Sequence, residues 1–521
     1  MATQISRCGV EHMTTTVLEL QNITKRFGQL TANDDISLKL DRGEILAFLG
    51  ENGAGKTTLM NILFGHYVPD EGRVFVKGAE IPQGKPRAAI DAGVGMVHQH
   101  FTLAPNLTVL ENIITGTESL WKLKSAHSAA RTKIAGIAKR FGLQVDPDAR
   151  LGDLSVGEQQ RVEILKALYN DADILILDEP TAVLTTQEAT SLFATLKEMA
   201  RQGLSLIFIS HKLHEVMSAA DRVIVLRGGK LVAERKASET SKEELAELMV
   251  GRRVSRPSRA AATPGETLLE ARNVTVVEDG ATRLTDLDFH LRAGETLGII
   301  GVSGNGQAAL GRLVSGLSQP ANGSLVMFGQ TVTKFDPRQF VAEGVGRIPE
   351  DRNAEGAIGD LTLWENAVLE RVRDPQFSNG ILVNRTAARE FTDRIIKDFD
   401  VRGGTPDSRI RLLSGGNMQK LILGRNLETA PRILIAAQPT RGLDEGAVAA
   451  IHARILEARA KGAAVLLISE DLDEVIGLAD RVQAIVKGRL SPPIDAGEAN
   501  AQRLGLMMAG EWPTNTKKGL N

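Results

Sequence analysis

The chain is poor in several features that commonly point to a function. It has one cysteine, Cys8, among 521 residues. A single thiol can form no internal disulfide and no cysteine cluster for zinc or iron–sulfur, which fits a reducing, cytosolic setting. Neither sign of charge is in excess: Lys plus Arg number 62 against 64 Asp plus Glu, a formal net charge of −2. No global field therefore draws the chain to nucleic acid or anionic lipid. Long apolar runs are also missing. The strongest, Ile174 to Leu177 and Ala463 to Ile468, are strand-length, far short of the roughly 18–20 residues of a spanning helix. The first residues carry Arg7, Glu11 and His12 with no apolar stretch, so no secretory signal is expected, and Met13 offers a second start. What is present is core-forming material, 42% hydrophobic and 24% charged residues. That composition and length suit a globular chain of about two to four domains.

The most informative feature is internal repetition. Gly50-Glu51-Asn52-Gly53-Ala54-Gly55 is echoed by Gly301-Val302-Ser303-Gly304-Asn305-Gly306, an offset of 251, and Gln99 meets Glu350 at the same offset. Leu154-Ser155-Val156-Gly157 is echoed by Leu413-Ser414-Gly415-Gly416 at 259, as is Ala220-Asp221-Arg222-Val223 by Ala479-Asp480-Arg481-Val482. The second copy thus carries eight extra residues between Glu350 and Leu413, expected on a surface subdomain. A repeat this long is a duplicated domain. The expected layout is an N-terminal tail (1–15), a first domain (16–251), a linker (252–265), a second domain (266–512) and a C-terminal tail (513–521). Short strands alternate with helices in each half. The fold class is therefore α/β, each half with a mostly parallel core sheet, an antiparallel edge region and a helical segment.

Gly50-Glu51-Asn52-Gly53-Ala54-Gly55-Lys56-Thr57, followed by Thr58, lies between the apolar run Ile45 to Leu49 and a helical pattern. Glycines there let backbone N–H groups wrap phosphates at a helix N-terminus, where the dipole favours anions. Lys56 would place a point charge on the β- and γ-phosphates, and Thr57 a hydroxyl on Mg²⁺. Ile174-Leu175-Ile176-Leu177-Asp178-Glu179 is an apolar strand ending in two carboxylates. After a phosphate loop, Asp178 is expected to organise Mg²⁺ and Glu179 to orient and deprotonate the attacking water. His211 follows another apolar strand and is either a γ-phosphate contact or a satisfied strand-end histidine.

Together the Lys56 loop, Gln99, the Asp178-Glu179 strand, His211 and Leu413-Ser414-Gly415-Gly416-Asn417-Met418-Gln419 resemble the ATP-binding domains of ABC transporters, across both halves from about residue 16 to 512. The resemblance implies ATP and Mg²⁺ as cofactors, with Thr57, Gln99 and Asp178 around the metal. Glu179, His211 and Gln99 would be catalytic. It also implies that two domains pair head to tail. Ser414 by its hydroxyl, Gly415 and Gly416 by close backbone approach, and Asp444 would then complete the ATP held by the opposite loop. Phe27 would stack on adenine, the alternative being a strand-end core aromatic.

The two halves are unequal. In the second, Gln307-Ala308 stand where Lys56-Thr57 stand in the first, Ala437-Gln438 replace Asp178-Glu179, Glu470 replaces His211 and Glu350 replaces Gln99. In the first half the signature has Val156 in place of a glycine, and Ala182-Val183-Leu184-Thr185 lacks the aspartate that Asp444 supplies. On head-to-tail pairing all these departures fall into one composite site, leaving one hydrolytic and one degenerate site. The motifs are similar to those of tandem ATPases of simple-sugar and nucleoside importers, with His98-Gln99-His100-Phe101 leaning toward the nucleoside branch. That implies two membrane permease subunits and an extracytoplasmic substrate-binding protein as partners, at the cytoplasmic face of the plasma membrane, with no nucleic acid. A soluble tandem ATPase acting on ribosomes or nucleic acid is the alternative, disfavoured by the short linker, the degraded site and the lack of a basic footprint. A regulatory nucleotide-binding protein without transport is a third reading.

Overall fold

The computed structural model describes residues 15–98, 101–116, 127–181, 184, 186–210, 212–251, 259–260, 263–380 and 382–512. The chain divides into two compact units, residues 1–254 and 255–521. Of the expected site residues, Gln99 and His211 lie outside the described residues, as do 252–258 of the expected linker.

The first unit opens with an antiparallel hairpin, β1 (Thr16–Phe27) and β2 (Leu30–Asp41). Ile36, Leu38 and Leu40 of β2 are buried while Ser37 and Lys39 between them are exposed. This period-two pattern puts one face of the hairpin on a core. Then follow β3 (Ile45–Leu49), α1 (Lys56–Phe64), β4 (Glu71–Val76), β5 (Ala79–Glu80), α2 (Pro86–Asp91) and β6 (Val94–Val97). The sheet order β2-β1-β4-β5 forms the edge subdomain. A helical excursion, α3 (Val109–Ile114), α4 (His127–Phe141) and α5 (Val156–Tyr169), leads to β7 (Ile174–Asp178). The unit ends with α6 (Thr186–Arg201), β8 (Ser205–Ile209), α7 (Leu213–Ala219), β9 (Arg222–Arg227), β10 (Lys230–Lys236) and α8 (Lys242–Val250). The core sheet runs β10-β9-β3-β8-β7-β6, parallel except at β10. Every residue of β3, β7 and β8 is buried, because both faces are covered. Ile45, Ala47 and Leu49 face the core shared with the helices, and Leu46 and Phe48 the core shared with the edge sheet. That double burial explains why these strands read as unbroken apolar runs.

The second unit repeats the plan. β11 (Thr267–Glu278), β12 (Ala281–Arg292), β13 (Thr296–Ile300), α9 (Gln307–Val314), β14 (Asn322–Met327), β15 (Gln330–Thr331), α10 (Pro337–Ala342) and β16 (Val345–Ile348) lead to α11 (Leu363–Val368). The stretch holding the eight extra residues contains a small hairpin, β17 (Ser378–Asn379) and β18 (Leu382–Val383), where only helix was expected. It lies at the surface, with Leu382 75% exposed. The chain then runs through α12 (Arg385–Asp398), α13 (Gly415–Leu427), β19 (Ile433–Ala437), α14 (Glu445–Ala460), β20 (Ala464–Ser469), α15 (Leu472–Leu478), β21 (Arg481–Val486), β22 (Arg489–Leu490), β23 (Ile494–Asp495) and α16 (Ala501–Met508). Its sheets are ordered β12-β11-β14-β15 and β16-β19-β20-β13-β21-β22. Both units are therefore α/β, with a mainly parallel core sheet and an antiparallel edge sheet. Among the described residues no helix is long and apolar enough to cross a membrane.

Candidate functional site

The loop from Gly50 to Gly55 joins β3 to α1, so its N–H groups gather at the α1 N-terminus. Gly55 is the α1 N-cap with φ 97°, and a Cβ there would come within 2.1 Å of the Ala32 carbonyl oxygen. No side chain fits, so the glycine is obligatory. Asn33, fully buried, donates from Nδ2 to the Gly55 carbonyl at 3.0 Å. It pins the loop from below and was not foreseen from the sequence. Asn52 and Gly53 are exposed on the rim and Glu51 half-exposed, while Ala54 is buried beneath, Thr57 exposed and Thr58 half-buried. Lys56 is buried and its Nζ donates to the carbonyls of Gly50 (2.7 Å) and Glu51 (2.9 Å). The ammonium is thereby held over the mouth of its own loop, where a phosphate would sit.

Asp178 ends β7 beside this loop. Its carboxyl is pushed up to about 6, first by burial and then by the neighbouring Glu179, against the opposing pull of Lys56 and a hydrogen bond from Thr57. A hydroxyl and a buried carboxylate in contact form a hard-oxygen pair of the kind Mg²⁺ takes. A divalent cation would also remove the cost of ionising Asp178, so Thr57 and Asp178 fit such a cation. Glu179 sits one residue further in the left-handed region, φ 46°, its N–H donating to the Ile209 carbonyl at 3.1 Å. This turn aims the chain out of the sheet immediately after Asp178, costing backbone energy of the kind found at functional sites.

Beneath Glu179 lies a brace the sequence reading missed. Thr181 and Ser210 donate hydroxyl hydrogen bonds of 2.6 and 2.7 Å to the two oxygens of buried Glu215. The second unit repeats it: Thr440 and Ser469 donate to Glu474 at 2.7 and 2.5 Å. The only signal in the sequence is that all three residue types recur at the offset of 259. Phe27 is 45% exposed at the end of β1, edge-on to Tyr67 at 5.7 Å, with Lys25 Nζ 5.4 Å from its ring centre. It is not a core aromatic, and its accessible face suits a planar ligand.

The second unit keeps the backbone of this site and loses its chemistry. Gln438 has φ 47° and its N–H donates to Ile468, as Glu179 does to Ile209. In the loop, Gln307 Nε2 donates to the Val302 carbonyl at 2.9 Å, as Lys56 does to Glu51, so an uncharged amide fills the position of the ammonium.

The two signature elements differ in their hydroxyls. Ser155 N-caps α5 in a reciprocal capping box: its Oγ donates to Glu158 Oε2 at 2.7 Å, and Glu158 also accepts from the Ser155 N–H at 2.8 Å. These bonds hold the Glu158 carboxyl below its usual range. Ser155 thus spends its hydroxyl proton on a fixed anion. In α13 the equivalent residue is Asn417. There Ser414 Oγ accepts from Asn417 Nδ2 (3.0 Å) and N–H (3.4 Å), so its hydroxyl hydrogen is not used in either bond, and the capping side chain is an amide where α5 has a carboxylate. Ser414 can donate to an anion; Ser155 is already engaged. Gly415 and Gly416 form the first turn of α13, and Asp444 N-caps α14 by accepting from the Ala447 N–H at 2.9 Å. Ser414, Gly415, Gly416 and Asp444 are thus at two neighbouring helix starts of one unit. Lys56, Thr57, Asp178 and Glu179 gather in the other.

The family model described as ABC transporter matches residues 33–182 and again 284–441. The nucleoside import ATP-binding protein NupA of Lactococcus lactis is 43% identical over 95% of this chain and 98% of its own length. The guanosine import ATP-binding protein NupO of Bacillus subtilis is 44% identical over 95% and 97%. The glucose import ATP-binding protein TsgD13 of Haloferax volcanii is 43% identical over 95% and 96%. Among solved structures, the complex of the archaeal ribosome recycling factor aABCE1 with stalk protein aP1 aligns over 93% of this chain and 92% of its own. The TM-score is 0.64 and the identity 17%, a likeness of fold alone.

Proposed function

We propose, from the premise that this chain belongs to the ABC transporter family as an ATPase of the import type, that it powers uptake of a nucleoside or simple sugar through one competent composite ATP site. The observation that carries the import reading is 43–44% identity over 95% of the chain with subunits named for nucleoside and glucose import. The ribosomal reading has only a 17% likeness of fold behind it. Its partners would be two permease subunits and an extracytoplasmic substrate-binding protein, with the chain at the cytoplasmic face.

In the competent site ATP lies on the Gly50–Thr57 loop, its adenine on Phe27, and is completed from the second unit by Ser414, Gly415, Gly416 and Asp444. Lys56 exchanges its two carbonyl partners for β- and γ-phosphate oxygens. Thr57, Asp178 and Gln99 would hold Mg²⁺, which would supply positive charge against the charge of the phosphates. Glu179 accepts a proton from water as the water oxygen bonds to the γ-phosphorus. The bond from phosphorus to the β–γ bridging oxygen breaks, leaving ADP and phosphate. His211 holds the γ-phosphate during transfer. The degenerate site has Gln307, Ala308, Ala437 and Gln438 where the competent one has Lys56, Thr57, Asp178 and Glu179. Support for this division comes from the signatures: Ser414 has a hydroxyl proton to give, while Ser155 faces the fixed Glu158 carboxylate. The test is uptake by the assembled complex. Nucleoside or sugar should stimulate ATP hydrolysis and accumulate in vesicles, whereas ATPase activity stimulated by ribosomes or RNA, with no permease bound, would overturn the reading.

A further inference from the structure

Gly415 is glycine for a reason outside the nucleotide. A Cβ built there would lie 2.6 Å from the Arg352 Nη2, 3.0 Å from its Cζ and 3.2 Å from its Nε. The guanidinium therefore lies flat against the first turn of α13. Its Nη1 donates to the Arg441 carbonyl at 2.9 Å, and Nη2 is 3.6 Å from where a Cβ of Gly442 would stand. Arg441 in turn donates to Glu350 Oε1 at 2.8 Å. The turn that carries Arg352 is itself fixed. Asp351 accepts from the N–H groups of Asn353 (2.8 Å) and Ala354 (3.0 Å), and Arg347 pairs with Glu355 across it. Gly356 closes the turn against Ile422 of α13.

The first half changes all four members together. Glu350, Arg352, Gly415 and Arg441 correspond to Gln99, Phe101, Val156 and Ala182 at the repeat offsets. Where the arginine is absent, the signature position carries a valine side chain, 40% exposed. An arginine and the glycine that admits it thus occur in the same half, the half whose signature hydroxyl is available.

The geometry points to Arg352 as a positioning residue for ATP hydrolysis: it clamps the start of α13 to the loop running from Gln438 to Asp444. Ser414, Gly416 and Asp444 then meet the nucleotide of the first unit as one preformed surface. This rests on the composite-site reading above. Two flexible segments would otherwise have to be ordered when ATP binds, an entropic cost that a planar, multiply bonded guanidinium removes beforehand. Burial and the adjoining Arg441 both press against its charge, and Asp351 offsets them. A lysine has one point charge and no plane to lie on Gly415, so it cannot replace the clamp.

The test uses the full chain assembled with its permeases, measuring ATPase kcat and KM together with ADP affinity. Arg352→Ala should lower kcat/KM at least tenfold and leave ADP affinity within about twofold, since ADP would be held by the Lys56 loop. Arg352→Lys should recover little of the loss, and retained ADP affinity in both variants guards against a folding defect. Wild-type kcat/KM in Arg352→Ala, or recovery of most of the loss in Arg352→Lys, would overturn the inference. Ser414→Arg run in parallel separates the two failures. If it abolishes turnover while Arg352→Ala does not, only the clamp is wrong; if it too is silent, the composite site falls and the clamp with it.

Discussion

Asp178 is expected to weaken the nucleotide-free protein it serves. Its carboxyl rises from 3.8 to about 6 in the folded chain, chiefly through burial. A group whose folded pKa is raised lends stability fully below its unfolded pKa and loses it as pH climbs through the folded value. At pH 7.5 the ionised Asp178 therefore costs about 3 kcal/mol, from a difference of about two pKa units at ~1.4 kcal/mol each. At pH 5 the same linkage leaves about half of that. Asp178→Asn keeps the shape and a hydrogen-bonding partner for Thr57 but carries no charge. It should raise the apparent melting temperature of the first unit by roughly 5–10 °C at pH 7.5 without nucleotide, and by about half as much at pH 5. The same variant should lose ATP hydrolysis, an exchange of activity for stability expected where a buried charge serves chemistry. Melts of parent and variant at the two pH values measure it. An unchanged or lower melting temperature at pH 7.5, or a gain independent of pH, would refute the argument.

Three further outcomes follow from the site. Glu179→Gln should cut turnover by about 10²–10⁴-fold while ATP still binds; retention of more than about a tenth of parental activity would contradict its role, and Gln438→Glu should restore little. Asn417→Glu should rebuild in α13 the capping box of α5, tying the Ser414 proton to a carboxylate and lowering ATPase at least tenfold without loss of helix, as read by circular dichroism beside steady-state kinetics. By its resemblance to the family, the segment after Gln99, roughly residues 100 to 151, is proposed to receive the permease, so Phe101→Ala should reduce solute uptake while leaving basal ATPase near the parental level; parallel loss of both activities would assign the segment to folding or catalysis.

What was legible in the sequence is what chemistry forces on residue type. A loop that must wrap phosphate needs Gly55, a strand buried on both faces must be apolar to its end at Asp178, and a duplicated domain repeats such constraints at offsets of 251 and, past the insertion, 259. The α/β architecture of both units followed from those runs. Less visible were side chains whose partners are remote in sequence. Asn33 reaches Gly55 across the β2–β3 connection, Glu215 gathers Thr181 and Ser210, and Arg352 meets Gly415 from 63 positions away. Such contacts have no local period or motif. The difference between Ser155 and Ser414 was hidden differently: both serines sit in the same pattern, and what separates them is the third residue beyond, Glu158 or Asn417, which decides where the hydroxyl proton goes. The hairpin at Ser378–Val383 interrupts an excursion that reads as helical, because two-residue strands carry too few positions to show alternation.

The central claim is that hydrolysis occurs where the first unit's phosphate loop meets the second unit's signature, and nowhere else. It is tested most directly by steady-state ATPase of the assembled complex carrying Ser414→Arg or Ser155→Arg, two changes of identical chemistry at repeat-equivalent helix caps. The account predicts at least a hundredfold loss for Ser414→Arg and turnover within a few-fold of the parent for Ser155→Arg; equal losses, or the reverse order, would contradict it.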